Sequence, residues 1–308
     1  MTDKKIYLKK QLKKYGSLYP FLIPAMLLAL VFSYLPMAGL VIAFKDNINF
    51  IRYDSPLEAF MNASWSFQHF RTIFSDPEIY KYIINTLIIS AMKIIITFPL
   101  PIVLAVMISE VRNKGFSTFV QSMVFLPHFL SWVVITGIFK NLLAVDGPIN
   151  AIFGIRYHWF GEPGIFRWLV VALSGWKEVG YSSIVYISAI LAIDACLYEA
   201  ARIDGAGKLR QVFSITIPLI IPTIMTMLII RLGYLMEAGF EQIYTMISST
   251  TRDTGEIIGT YIYRISLGEN GGNYGLSTAV GLFNGVISLI LIVSANYVSK
   301  KLLNEGIW

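Results

Sequence analysis

The sequence predicts an all-α polytopic membrane protein with six transmembrane helices. Three observations carry that expectation. The 308 residues are 56% hydrophobic and only 14% charged, with a mean hydropathy of +0.63, whereas a soluble domain of this length covers itself with charge. Charge-poor runs near the roughly 20 residues that cross a bilayer core recur six times along the chain. Lysines and arginines gather at the ends and in alternate loops between those runs, as membrane insertion favours.

The runs lie at about 20–44, 82–109, 117–142, 169–193, 212–235 and 277–299. The second is broken by Lys93, the third is free of charge until Lys140, the fourth is interrupted by "WKEVGY", and the fifth contains Arg231. Pro36, Pro99, Pro101, Pro127, Pro218 and Pro222 fall inside runs. Neighbouring helices can satisfy the backbone groups a proline frees, so a packed, kinked bundle is expected. The N-terminal "KKIYLKKQLKKYG" starts like a signal peptide. Residues 15–44 are uncharged and lack a small-residue cleavage site, so a retained first span is expected. The terminal stretches and the 110–117 and 194–212 loops hold 13 lysines and arginines, against eight in the longer loops at 45–81, 144–167 and 237–276. Both termini and the 194–212 loop are therefore expected to be cytoplasmic. With no repeat, low-complexity tract or linker, residues 1–308 read as a single membrane domain.

Several function classes are excluded or unsupported. The net charge of +6 has no basic stripe interleaved with aromatics, so nucleic acid is not a partner. The lone Cys196 cannot form an internal disulfide. Three histidines without an H-E-x-x-H or Cys/His cluster give no metal site. No catalytic constellation is visible. A secondary transporter would favour inverted repeats and a midplane ion site. A membrane glycosyl- or acyltransferase would need acids or histidines clustered at one face, and the loop acids Asp46, Asp54 and Glu58 form no clear motif.

The most informative loop reads "IDACLYEAARIDGAGKLRQVFSITIPLIIP". Asp194 can cap a helix by accepting orphan backbone N–H groups. Asp204-Gly205 is a stop, glycine being free to take the left-handed conformation that ends many helices. A second helix then starts near Ala206 and runs into Pro218. Ala200 and Ala201 keep one face thin, which suits close approach by a partner; an ordinary helical connector is the alternative.

Glu199-Ala200-Ala201, then Asp204-Gly205-Ala206, then Ile217-Pro218 resemble the EAA signature of binding-protein-dependent ABC importer permeases. "NTLIIS" (85–90), "FLPHFLSWVV" (125–134), "GFEQIY" (239–244) and the ending "NEGIW" are similar to the polysaccharide and oligosaccharide permease branch, which includes the maltose-importer membrane subunits. The resemblance runs from about residue 15 to the end. It implies a type I importer fold, with the 194–217 loop as a cytoplasmic coupling helix between spans four and five. It also implies a heterodimer with a second permease, two ATP-binding subunits, an extracytoplasmic solute-binding protein and a bacterial cytoplasmic membrane. The chain has no G-x-x-x-x-G-K-[ST] phosphate loop; the cluster "GENGGNYG" (268–275) lacks the lysine. ATP and magnesium therefore belong to partner subunits, and no cofactor is expected in this chain.

In that family the helices flanking the coupling loop line the translocation cavity. Sugars offer apolar ring faces to aromatic side chains and hydroxyls to carboxylates and amides. Glu178, Tyr181, Tyr234, Glu237 and Asn284 are the expected substrate path. The competing reading makes Lys177–Glu178 and Arg231–Glu237 structural ion pairs. Lys93 is expected to pair or snorkel, and Gly281 and Gly285 to allow close helix packing.

Overall fold

The computed structural model describes residues 15–46, 55–267 and 272–303. The basic stretch before Tyr15, Asp54, "NEGIW" and the first residues of "GENGGNYG" lie outside the described residues.

Prolines and short polar side chains set where the helices begin. Helix α1 spans Tyr19–Phe44 and α2 spans Pro77–Ser109. The Asp76 carboxylate accepts the Glu78 amide at 2.9 Å, and Pro77 occupies a position whose N–H no helical bond requires. Next come α3 (Lys114–Phe129) and α4 (Trp132–Leu142), then α5 (Pro163–Leu191) and α6 (Ala195–Ile203). After these follow α7 (Lys208–Gly233), the short α8 (Phe240–Met246) and α9 (Ile258–Ser266), and finally α10 (Tyr274–Lys301). No strand occurs among the described residues beyond one isolated bridge between Lys45 and Trp65.

Among the described residues four helices, α1, α2, α7 and α10, are each long and apolar enough to cross a membrane. The pairs α3–α4 and α5–α6 pass the same test only when each is taken together, so the count reaches six if each bent pair is one span. The run at 117–142 is thus not the single straight helix its composition suggested: α3 and α4 meet at 99°. Pro127 tightens the end of α3 into a 3-10 turn, Leu130 is extended, and the Ser131 hydroxyl caps α4 by accepting the Val134 amide at 3.3 Å. Carbonyls freed by the break need partners, and the Lys177 ammonium of α5 supplies them, donating to the His128 and Leu130 carbonyls. Elsewhere proline is absorbed more gently. Single π turns at Leu30–Tyr34 and Val212–Thr216 precede Pro36 and Pro218, widening the helix where a carbonyl loses its donor.

The central pair is α2 and α5, which run parallel. Ile89 of α2 shares a buried cluster with Phe166, Val170 and Leu173 of α5. Further along, Ala105 and Ile108 share another with Tyr186, Ile187 and Ile190, joined by Ile220 of α7. A third cluster joins Ile79 and Tyr82 to Ile258, Tyr261, Ala279 and Val280. At Gly180 α5 lies so close to α3 that a Cβ would overlap the Val124 carbonyl. The expected approach at Gly281 and Gly285 does not occur among the described residues. A Cβ at Gly285 would meet nothing within 4 Å, and one at Gly281 only the tip of Ile262.

Candidate functional site: a cavity and a docking loop on the same two helices

Two adjacent cavities of about 230 and 270 Å³ lie among α2, α5 and α7, and both are walled by Glu178, Arg231 and Tyr234. Glu178 and Tyr181 stand three residues apart on α5, so they face the same side. Tyr181 lines the second cavity with Ser182, Tyr186 and Thr97. Glu237 lines the first, with Ser90, Lys93 and Gln242. Four of the five expected path residues are thus brought together. Asn284 is not among the cavity residues; its Oδ1 is buried on α10 with no hydrogen-bond partner.

His128, at the end of α3, completes this wall, and sequence reading weighed it only as a metal ligand. Its Nδ1 lies 3.0 Å from the Glu178 carboxylate. Its ring lies flat against Tyr181, with centroids 3.8 Å apart and planes 2° apart. Glu178 is therefore fixed in place, and one face of Tyr181 is already occupied. The signal was present in "FLPHFL": a proline-broken helix end can turn a histidine back toward its neighbour.

The floor of the first cavity is an irregular segment after α7. Ala238 and Gly239 both have positive φ, 50° and 84°, a costly backbone for alanine that persists only where surroundings enforce it. Lys93 enforces it from α2. Its ammonium is buried, donating to the Ala238 carbonyl at 2.8 Å and to Gln242 Oε1 at 2.7 Å. Gln242 Nε2 in turn donates to the Val170 carbonyl of α5 at 2.7 Å, and the Ser90 hydroxyl donates to the Leu235 carbonyl. Lys93 therefore neither snorkels nor pairs with an acid. The ion-pair alternative also fails: Lys177 is held by carbonyls, Glu178 by His128, and no Arg231–Glu237 pair is present among the described residues.

The loop from Asp194 to Lys208 folds as its residues dictate. Asp194 accepts the Cys196 amide at 2.9 Å, and that bond holds its carboxyl below the ordinary carboxylate value. Helix α6 turns 69° away from α5 and carries Glu199, Ala200 and Ala201. It ends at Asp204, with Gly205 left-handed at φ 76°. The Ala206 amide returns to the Ala201 carbonyl at 2.8 Å and the Gly205 amide to Arg202 at 3.1 Å. Those two bonds form the Schellman closure that glycine permits. No residue of α6 is fully buried, so the helix projects with its caps satisfied internally and most of its surface uncovered; Tyr198 and Ala201 are half-buried. Behind it, Lys208 pairs with Glu110 at the end of α2.

Residues 97–304 match the family described as binding-protein-dependent transport system inner membrane component. The polygalacturonan/rhamnogalacturonan transport system permease protein YteP of Bacillus subtilis is 38% identical over 99% of this chain and 94% of its own length. A chain of a bacterial ABC transporter involved in the import of the acidic polysaccharide alginate superposes with a TM-score of 0.86, at 37% identity. That match covers 96% of this chain and 99% of the other. A second structure of an alginate ABC transporter, in complex with a pentasaccharide-bound periplasmic protein, matches at the same TM-score and 38% identity, covering 97% of this chain and 99% of the other. Neither the secondary-transporter nor the membrane-enzyme reading is favoured by these likenesses. The chain belongs to the binding-protein-dependent transport system inner membrane components: it is a membrane-embedded permease subunit of an ABC importer, a transport subunit rather than an enzyme.

Proposed function

We propose that this permease carries an oligosaccharide or polysaccharide fragment through a path that includes Glu178, Tyr181, Tyr234 and Glu237. In this reading its whole length is one membrane domain of type I importer architecture, crossing the bacterial cytoplasmic membrane six times with both termini cytoplasmic. It pairs with a second, homologous permease and receives substrate from an extracytoplasmic solute-binding protein. It docks on two ATP-binding subunits through Glu199, Ala200, Ala201, Asp204, Gly205 and Ala206. ATP and magnesium act on those subunits. The names of the relatives, which concern polygalacturonan and alginate, support the substrate class.

One observation carries the proposal. The cavity and the loop are built on the same two helices: α5 brings Glu178 and Tyr181 and α7 brings Arg231 and Tyr234, while α6 is the bend between them. From Tyr181 to Asp194 is about 20 Å of nearly continuous helix, so a displacement of α6 by a partner moves the cavity wall. Aromatic rings beside hydroxyls and a carboxylate suit a sugar's mixed surface.

The test is assembly by steps. The chain alone should hydrolyse no ATP; activity should appear with the second permease and the ATPase pair, and rise with loaded binding protein. Hydrolysis by the purified chain alone would overturn the proposal. Tyr181→Ala and Glu178→Ala should weaken uptake by roughly 1–3 kcal/mol of substrate interaction while the complex still assembles. Unchanged uptake in both would remove these residues from the path.

A further inference from the structure

We infer that Arg231 recognises a carboxylate, making the transported fragment an acidic saccharide built from uronate-type units; this rests on the reading above that the cavity lies on the substrate's path. Arg231 sits in the last turn of α7, in the apolar run "LIIRLG". A guanidinium cannot shed its proton, and an ionised group inside a span calls for a counter-charge. Lys93 and Lys177, the other cations embedded nearby, each donate two hydrogen bonds, to backbone carbonyls and the Gln242 amide. Arg231 is different. It lines both cavities, and no hydrogen bond or ion pair among the described residues involves it.

Two acids share its cavities, but neither forms an ion pair with it among the described residues. Glu178, which lines both, is engaged by His128, and Glu237 lines the first without pairing. The second cavity offers Arg231 together with the rings of Tyr181, Tyr186 and Tyr234 and the hydroxyls of Ser182 and Thr97. Rings stack on a pyranose face and hydroxyls meet its hydroxyls, while the planar guanidinium fork matches a carboxylate with two parallel hydrogen bonds. A neutral sugar would fill the same space and leave the paired donors of the guanidinium without a matching acceptor.

The experiment compares uptake of uronate trimers (galacturonate, mannuronate, guluronate and glucuronate) with that of their methyl esters. The importer is reconstituted in full in vesicles. The ester keeps the shape and removes the charge. The wild-type importer should take up at least one acid in preference to its ester. Arg231→Gln should lower uptake of the acid roughly ten- to a hundredfold, the worth of a charge-assisted hydrogen bond, and so erase its preference over the ester. Arg231→Lys should fall between, keeping the charge without the fork. Equal uptake of acid and ester by the wild type, or uptake of none of these probes, overturns the inference. So does an Arg231→Gln importer that keeps its preference, or one that fails to assemble with the second permease, which would make Arg231 an interface ion pair. Tyr181→Ala in the same assay separates the two claims. If it lowers uptake of both forms while Arg231→Gln spares both, only the charge reading fails; if neither variant changes uptake, the path reading fails as well.

Discussion

The two ends of the helix pair α2–α5 are built on opposite terms. At the end where both helices begin, polar groups are tied to one another across the chain. The Asn85 amide donates to the Asp253 carbonyl at 3.0 Å and the Glu256 carbonyl at 3.1 Å, and its oxygen accepts from Arg167 at 2.7 Å. Arg167 also donates to the Thr254 carbonyl at 2.9 Å. Buried Glu256 receives two bonds from Arg264, at 2.9 and 3.2 Å. At the other end, α6 buries no residue; its caps close on their own turns, and its one side-chain tie to another helix among the described residues is the Tyr198 hydroxyl, 2.9 Å from that of Thr216. One end is a lock whose partners all lie within the chain; the other is a finished shape with nothing resting on it. A segment whose contacts are internal holds position under load, and one satisfied locally can be gripped by a partner without first being undone.

The sharpest way to break this contrast is at the lock. Asn85→Ala leaves two carbonyls and one arm of Arg167 without their partner, which should cost about 3 kcal/mol. The thermal midpoint of the purified protein should fall, and amide exchange over 252–257 should rise. An unchanged midpoint would mean that the network is ornamental.

The next effect lies at the other end. A Cβ at Gly205 meets nothing within 4 Å, but its φ of 76° suits no β-branched residue. Gly205→Val should strain the turn by roughly 1–2 kcal/mol. Co-purification of the ATPase or the coupling of its hydrolysis to uptake should suffer, while the membrane bundle still inserts; Gly205→Asn should be milder. Full assembly and full uptake in Gly205→Val would reduce the loop to a connector.

Glu199→Ala should do less. The residue is exposed, and its loss changes helix stability by about 0.5 kcal/mol or less. A loss of uptake as large as that of Gly205→Val would show that the charge, rather than the shape, is gripped. The smallest effect is one of pH. The Asp194 carboxyl is held low by the Cys196 amide, so its contribution is complete above the ordinary carboxylate value and is lost as pH falls through the folded one. Exchange of the first α6 amides should quicken on acidification. In Asp194→Asn, which still caps but does not titrate, that change should vanish.

What could be read from the sequence follows the same division. The turn at Gly205 and the cap at Asp194 were legible because each depends on residues fewer than six positions apart. Span positions were legible because hydropathy is a local sum. The break in span three was not, since Pro127 and Ser131 sit in an uninterrupted uncharged run and only the rescue of its carbonyls by Lys177 makes the bend affordable in lipid. The lock could not be seen at all, because Asn85 and its acceptors are separated by 168 and 171 positions. The spacing of Glu178 and Tyr181 set both on one helix face, and both line a cavity. Nothing in the segment around Asn284 says which way α10 is turned, and it is not among the lining of either cavity.

Lys93 imposes an order in time. The carbonyl and amide that hold its ammonium belong to Ala238 and Gln242, which follow it by 145 and 149 positions. At about 5–20 residues per second, a ribosome delivers them roughly seven to thirty seconds after Lys93 itself. Throughout that interval α2 carries a charge near its middle without any of its final partners, at a cost of about 2.5–3.5 kcal/mol for a lysine at the centre of a span. The span α2 therefore reaches its final set of contacts only after the chain beyond α7 arrives. A nascent chain that stops short of Gln242 is left with an ammonium that marks it as unfinished.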